Sequence, residues 1–175
     1  MTRQQLEHIL RAAAAITGAD RLVVVGSQAI LGSHPDAPPE LTISMEADVF
    51  TFRSPGDAGL IEGSIGEGSP FHETFGYFGH GVGEETSTLP RGWKRRLVPV
   101  ITPATAGATG LCLEVNDLAV AKLAAGRDKD LDYVAALLKH GLASESVVRN
   151  RLGQTDLPAE HLQLCLQRLD RLSRT

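Results

Sequence analysis

Glu46 and Asp48 stand two residues apart in LTISMEADVFTF, a stretch that reads as a β-strand. Its alternation is informative. Ile43, Met45, Ala47 and Val49 fall on one side, and Ser44, Glu46, Asp48 and Phe50 on the other. The two carboxylates therefore share a face, roughly 7 Å apart at the backbone, and can converge on one divalent cation or a pair of them. Upstream, RLVVVG reads as a buried strand ending at Gly26, and SQAILGS as a short helix with Ser27 as its N-cap. A Gly-Ser turn at a helix start offers backbone N–H groups and a hydroxyl to a phosphate. Taken singly, Gly-Ser is a common dipeptide and Glu-x-Asp is usually solvated charge. In this order they describe a site for Mg²⁺ (or Mn²⁺) and a phosphorylated substrate.

Two further groups carry charge at suggestive spacing. Lys122 and Asp130 lie eight residues apart, with Arg127 and Lys129 between them. On a continuous helix they would share a face, but Gly126 can break it. A lysine suits a triphosphate as a point charge; the alternative is a salt-bridge cluster tying two helices together. The segment PRGWKRR places Arg91, Lys94, Arg95 and Arg96 around Trp93, the only tryptophan. Guanidinium groups bind phosphates bidentately and an indole can stack on a base. Equally, Trp93 could pack into the core between solvated charges. Glu114, in the expected strand LCLEV, is the only acidic residue of a later strand and could face either the site or solvent. The six histidines show no His-x-x-x-His spacing; His72 and His80 fall in a glycine-rich middle and could line a pocket. No Gly-x-Ser-x-Gly elbow supports a hydrolase triad, and GSIGEGSPF lacks the Gly-Lys-Ser/Thr of a Walker A loop.

The elements that position these residues follow from periodicity. Gln4 to Thr17 reads as a helix closed by Gly18. HPDAPPE is a loop. The middle predicts a helix near Asp57 to Ile65 and a strand or hairpin around Phe71 to Val82, and RRLVPVITP predicts another strand. After Asn116 four helical patterns follow: NDLAVAKLAAG, KDLDYVAALLKHG, SESVVRNRLG and PAEHLQLCLQRLDRL. The leucines of the last could pack on the chain itself or on a partner. The expected fold class is α+β: a mixed sheet flanked by helices over residues 1–115, with a helical bundle over 116–175 packed on it as one compact unit.

Composition agrees. The chain has 175 residues, 42% of them hydrophobic and 22% charged, the profile of an ordinary globular protein. Its net charge of −4 argues against a surface that binds nucleic acid everywhere, so a nucleic-acid partner would need a local patch such as 91–96. Cys112 and Cys165 form no metal spacing or disulfide framework. MTRQQLEHIL has no signal-type apolar core, and the apolar runs are too short to span a bilayer. The expectation is a cytoplasmic protein with no membrane contact.

GSQAIL followed by SMEADVF resembles the Gly-Ser…(Asp/Glu)-x-Asp signature of the DNA polymerase beta-like nucleotidyltransferases. DLAVAKLAAGRDKDL, with SMEAD and LPRGWKRRL, is similar to bacterial nucleotidyltransferases related to AbiEii-type toxins. The resemblance runs from about Val23 to about Leu138. It implies a nucleotidyltransferase-type sheet with Glu46 and Asp48 as catalytic metal ligands. It also implies Gly26, Ser27, Arg95 and Arg96 toward an NTP, Lys122 at its phosphates, and Asp130 as a supporting residue. The acceptor it implies is a tRNA or protein hydroxyl, in a toxin–antitoxin setting with an antitoxin as partner. The sequence departs from the pattern in a longer spacer before Glu46, in Glu for the commoner first Asp, and in having no evident third carboxylate. Those departures motivate an alternative, a catalytically weak module of the same fold that binds nucleotide, RNA or protein.

Overall fold

A computed structural model describes residues 1–174, the side chain of residue 55 excepted. Thr175, the last residue of the expected helical part, lies outside the described residues. Contacts divide the chain into two compact units: Met1–Thr86 with Leu97–Leu113, and Ser87–Arg96 with the chain from Glu114 onward.

The first unit is built on a five-stranded mixed sheet: β1 (Arg21–Val25), β2 (Glu46–Thr51), β3 (Phe78–Gly81), β4 (Val98–Val100) and β5 (Thr109–Cys112). Its spatial order is β3-β2-β1-β5-β4. β1 runs antiparallel to β2 and parallel to β5, β2 pairs parallel with β3, and β4 closes the far edge antiparallel to β5. Helix α1 (Arg3–Thr17) opens on a Thr2–Gln5 capping box and ends at Gly18 in the left-handed conformation. Its Leu6, Ile9, Leu10 and Ala13 are fully buried, the helical stripe seen in the sequence. Helix α3 (Ala58–Ile65) lies on the same sheet face as α1. A Cβ added at Gly79 would touch Ile65 and Ile9, and one at Gly81 would meet the backbone carbonyl of Ala58 at 1.9 Å. Only glycine lets α3 come this close, which gives β3 its Phe-Gly-His-Gly sequence. Gly79 and Gly81 thus mark the packed face of β3, and by alternation Phe78 and His80 point the other way.

Several local expectations need correction. SQAILGS folds as a 3₁₀ turn at Ser27–Ala29 followed by a single turn, α2 (Ile30–Ser33), but Ser27 is not the N-cap. Gly26 holds that position at φ 68, ψ −170, so the turn begins at Ser27 itself. The strand expected from Leu41 begins only at Glu46, because Pro39–Leu41 forms a 3₁₀ turn and Ile43 stays 76% exposed. Residues 71–82 form no hairpin. Pro70–Phe75 is a short helix, α4, capped by Ser69 with Pro at its first turn, and only Phe78–Gly81 is a strand. LCLEV ends as a strand at Cys112.

The second unit holds helices α5 (Val115–Ala125), α6 (Asp128–Lys139), α7 (Glu145–Leu152) and α8 (Ala159–Leu172), where the sequence placed them. α5 packs against the other three and supplies buried Leu118, Val120 and Leu123. α8 buries Cys165 and Leu169 and leaves Leu164 exposed. Glu114 is the N-cap of α5, accepting from the backbone N–H groups of Asn116 and Asp117, and not a strand residue. Among the described residues no helix is long and apolar enough to cross a membrane.

Candidate metal centre

The β2 register places Glu46 beside Phe78 and Asp48 beside His80 of the neighbouring strand. Glu46, Asp48 and His80 therefore rise from one face of two adjacent strands. His80 Nδ1 lies 2.9 Å from Glu46 Oε1 and 3.1 Å from Asp48 Oδ1. One ligand atom from each residue falls within 4.8 Å of the others. All three remain open to solvent, with side chains 40%, 29% and 43% exposed. Two carboxylate oxygens and an imidazole nitrogen at this separation fit a divalent cation: the oxygens suit Mg²⁺ or Mn²⁺, and the imidazole adds affinity for transition ions.

Behind the triad stands Glu62 of α3. Its Oε2 accepts the backbone N–H of Gly81 and lies 3.9 Å from His80 Nε2. At that distance the two make no hydrogen bond, and Glu62 acts on the ring through its charge. Burial lowers the basicity of His80, but the hydrogen bond and charge of Asp48, with the charges of Glu62 and Glu46, outweigh it and raise its pKa above the ordinary value. The site thus concentrates negative charge that a cation can neutralise.

Asp48 is positioned from its other side by Gly26. β1 and β2 pair Val25 with Asp48, which brings the turn after β1 onto the carboxylate. A Cβ at residue 26 would lie 2.0 Å from Asp48 Oδ2. The glycine is thus required twice, by its backbone conformation and by the carboxylate against it. Next along the turn, Gln28 is 1% exposed, and neither polar atom of its side-chain amide has a hydrogen-bond partner.

The basic segment 91–96, Glu114 and the Lys122–Asp130 group fall in the second unit. Arg96 makes a two-pronged bond to buried Asp117, Nε to Oδ2 at 2.8 Å and Nη2 to Oδ1 at 3.0 Å. Arg151 joins this network through Asp117 and Glu114; burial alone would raise the Glu114 pKa, but the hydrogen bond and charge of Arg151 and the hydrogen bonds of Asn116 outweigh it and hold the carboxyl below the usual range. Arg95 is exposed, and Trp93 is 8% exposed, with Lys94 above its ring. Lys122 Nζ donates to Asp130 Oδ1 at 2.9 Å, and Arg127 Nε to Asp130 Oδ2 at 2.6 Å. Asp130 is fully buried. Despite that burial, its two cationic partners hold its pKa below the ordinary carboxylate value.

Sequence reasoning missed His80 as a third ligand because it sought a third carboxylate and a ligand repeat along the chain. The usable signal was the alternation Phe-Gly-His-Gly, a strand that puts one imidazole on the face opposite two glycines. The family model described as a nucleotidyltransferase of unknown function (DUF6036) matches residues 4–152. The chain belongs to this family. No curated protein and no solved structure matches it significantly. The matched range includes all three members of the triad, Gly26 and the Lys122–Asp130 pair. Membership of a nucleotidyltransferase family supports a general nucleotidyltransferase function.

Proposed function

We propose that this protein is a metal-dependent nucleotidyltransferase that moves an NMP from an NTP to a hydroxyl of RNA, such as a tRNA end, or of a protein. The observation that carries this reading is the Glu46–Asp48–His80 triad, with Gly26 set against Asp48, in a chain of this family. Glu46, Asp48 and His80 would hold Mg²⁺ or Mn²⁺. A bound cation supplies Lewis-acid chemistry, making the acceptor hydroxyl a better nucleophile and stabilising charge on the phosphate oxygens. Gly26 keeps the Asp48 carboxylate in place, and the Gly26–Ser27 turn lies toward the phosphates. Glu62 adds negative charge beside the second nitrogen of His80. The acceptor oxygen forms a bond to the α-phosphorus, the α–β bridging bond breaks, pyrophosphate leaves, and the hydroxyl proton passes to solvent. The similarity of SMEAD and DLAVAKLAAGRDKDL to AbiEii-type toxins supports a cytoplasmic bacterial toxin-like role with an antitoxin partner.

The test is incubation with α-labelled NTPs, Mg²⁺ or Mn²⁺, and total RNA or protein. Wild-type protein labels an acceptor, and Glu46→Ala and Asp48→Ala do not. Equal labelling by wild type and both variants would remove the basis of this reading. One observation favours a second reading, a catalytically weak binding module. An imidazole stands as the third member, within 3.1 Å of both carboxylates, so the cluster can neutralise itself in part without a cation. Calorimetry showing nucleotide binding independent of metal and of Glu46 would favour that module.

A further inference from the structure

β3 brings an aromatic side chain to the same face as the triad. Phe78 and His80 are two residues apart on one strand, so both point away from the face that Gly79 and Gly81 pack against α3. In register, Phe78 stands beside Glu46 as His80 stands beside Asp48. His72 of α4 lies against the Phe78 ring, centroids 4.6 Å apart and planes tilted by 48°. Both rings are only partly covered. Phe50, on the same face of β2, is buried, whereas Phe78 is only partly covered. The latter is displayed on an edge strand, next to a carboxylate of the triad.

The sheet order gives the pair a side. With β3-β2-β1, the Gly26–Ser27 turn lies on one flank of the carboxylate strand and Phe78 on the other. If the phosphates of the NTP lie toward the turn, the acceptor approaches from β3. We infer that Phe78, backed by His72, stacks the terminal base of the acceptor, which makes the acceptor a single-stranded RNA end rather than a protein hydroxyl. This rests on the proposed nucleotidyl transfer and narrows its acceptor. Base stacking on an aromatic face tolerates any base and works at the end of a strand. Trp93, the ring the sequence offered for this task, is largely buried in the second unit. The carboxylates Glu46, Asp48 and Glu62 around the pair repel a phosphodiester backbone, so RNA stacking here depends on a divalent cation.

The test uses the full chain and a short single-stranded RNA carrying 2-aminopurine at its 3′ end. Fluorescence quenching and anisotropy are read with and without Mn²⁺, and Mn²⁺ binding is measured in parallel on each variant. Wild type quenches the 3′ base in the presence of Mn²⁺. Phe78→Ala weakens RNA binding about tenfold and abolishes the quench, Phe78→Trp restores both, and His72→Ala falls between. Mn²⁺ binding by Phe78→Ala confirms that the variant is folded at the triad. An unquenched wild-type complex, or equal affinity and quench in Phe78→Ala, overturns the inference. So does displacement of the RNA by a serine-containing peptide whose own binding needs Phe78. Failure of wild type to bind Mn²⁺, with a Phe78-dependent quench retained, would sink the metal reading and the cation dependence of stacking, and would leave only Phe78 as the stacking ring.

Discussion

Replacing Gly26 by alanine tests how Asp48 is held. The new Cβ would sit 2.0 Å from Asp48 Oδ2 and 3.0 Å from its Cγ, inside any tolerable contact. The backbone at φ 68, ψ −170 lies in a region open essentially to glycine alone, which adds about 1–3 kcal/mol of strain. The carboxylate is the mobile partner, so it swings off the triad and gives up its 3.1 Å approach to His80. Taking about 2 kcal/mol for the strain, Tm falls by roughly 4–8 °C. Loss of a positioned ligand lowers cation affinity by about 10–100-fold, the scale seen when groups that orient metal ligands are removed. Gly18→Ala is the control. Its φ of 69 also penalises a side chain, by about 1 kcal/mol, but a Cβ there meets nothing within 4 Å. Thermal unfolding and Mn²⁺ calorimetry on both variants separate the effects. Gly18→Ala loses a little stability and binds Mn²⁺ normally, whereas Gly26→Ala loses both. A Gly26→Ala protein that binds Mn²⁺ like wild type would refute the claim that this glycine sets the carboxylate.

His80→Gln should cut Mn²⁺ affinity more than Mg²⁺ affinity, since the imidazole is the donor that favours transition ions; equal losses by calorimetry would argue against direct ligation. Asp130→Asn leaves Lys122 without its buried carboxylate, and a loss of about 3 kcal/mol is expected in denaturant unfolding at pH 7. Because the folded-state pKa of Asp130 is depressed, its contribution is complete above the unfolded value. The stability gap between wild type and Asp130→Asn therefore holds at neutral pH and narrows as pH falls below about 4, and a gap that widens in acid would contradict the pairing. Gln28→Met removes a buried amide that has no hydrogen-bond partner, so Tm should rise, by about 1 kcal/mol in stability terms. A fall would show that the amide serves a ligand or an ordered water.

The sequence made the carboxylate pair readable because strand alternation is a strict period of two, and Glu46 and Asp48 share a face as that period requires. The four carboxy-terminal helices were equally legible, each bounded by Gly, Pro or a capping residue. What escaped was non-local. Nothing along the chain says that β3 pairs parallel with β2, so His80 could not be set beside Asp48, and two glycines obscured the strand that carries it. The start of β2 was misplaced because Ile43 and Met45 continue the apolar alternation although the 3₁₀ turn at Pro39–Leu41 delays the strand to Glu46. The bond of Arg96 to Asp117 was equally hidden, since it joins residues 21 apart in sequence.

The proposed function stands on one divalent cation held jointly by Glu46, Asp48 and His80. Titrating Mn²⁺ into the protein and following the free-ion electron paramagnetic resonance signal measures this without any assumption about substrate. A saturable site is expected in wild type, weakening sharply in Glu46→Ala, Asp48→Ala and His80→Ala alike. Wild-type binding that survives all three substitutions unchanged would contradict it.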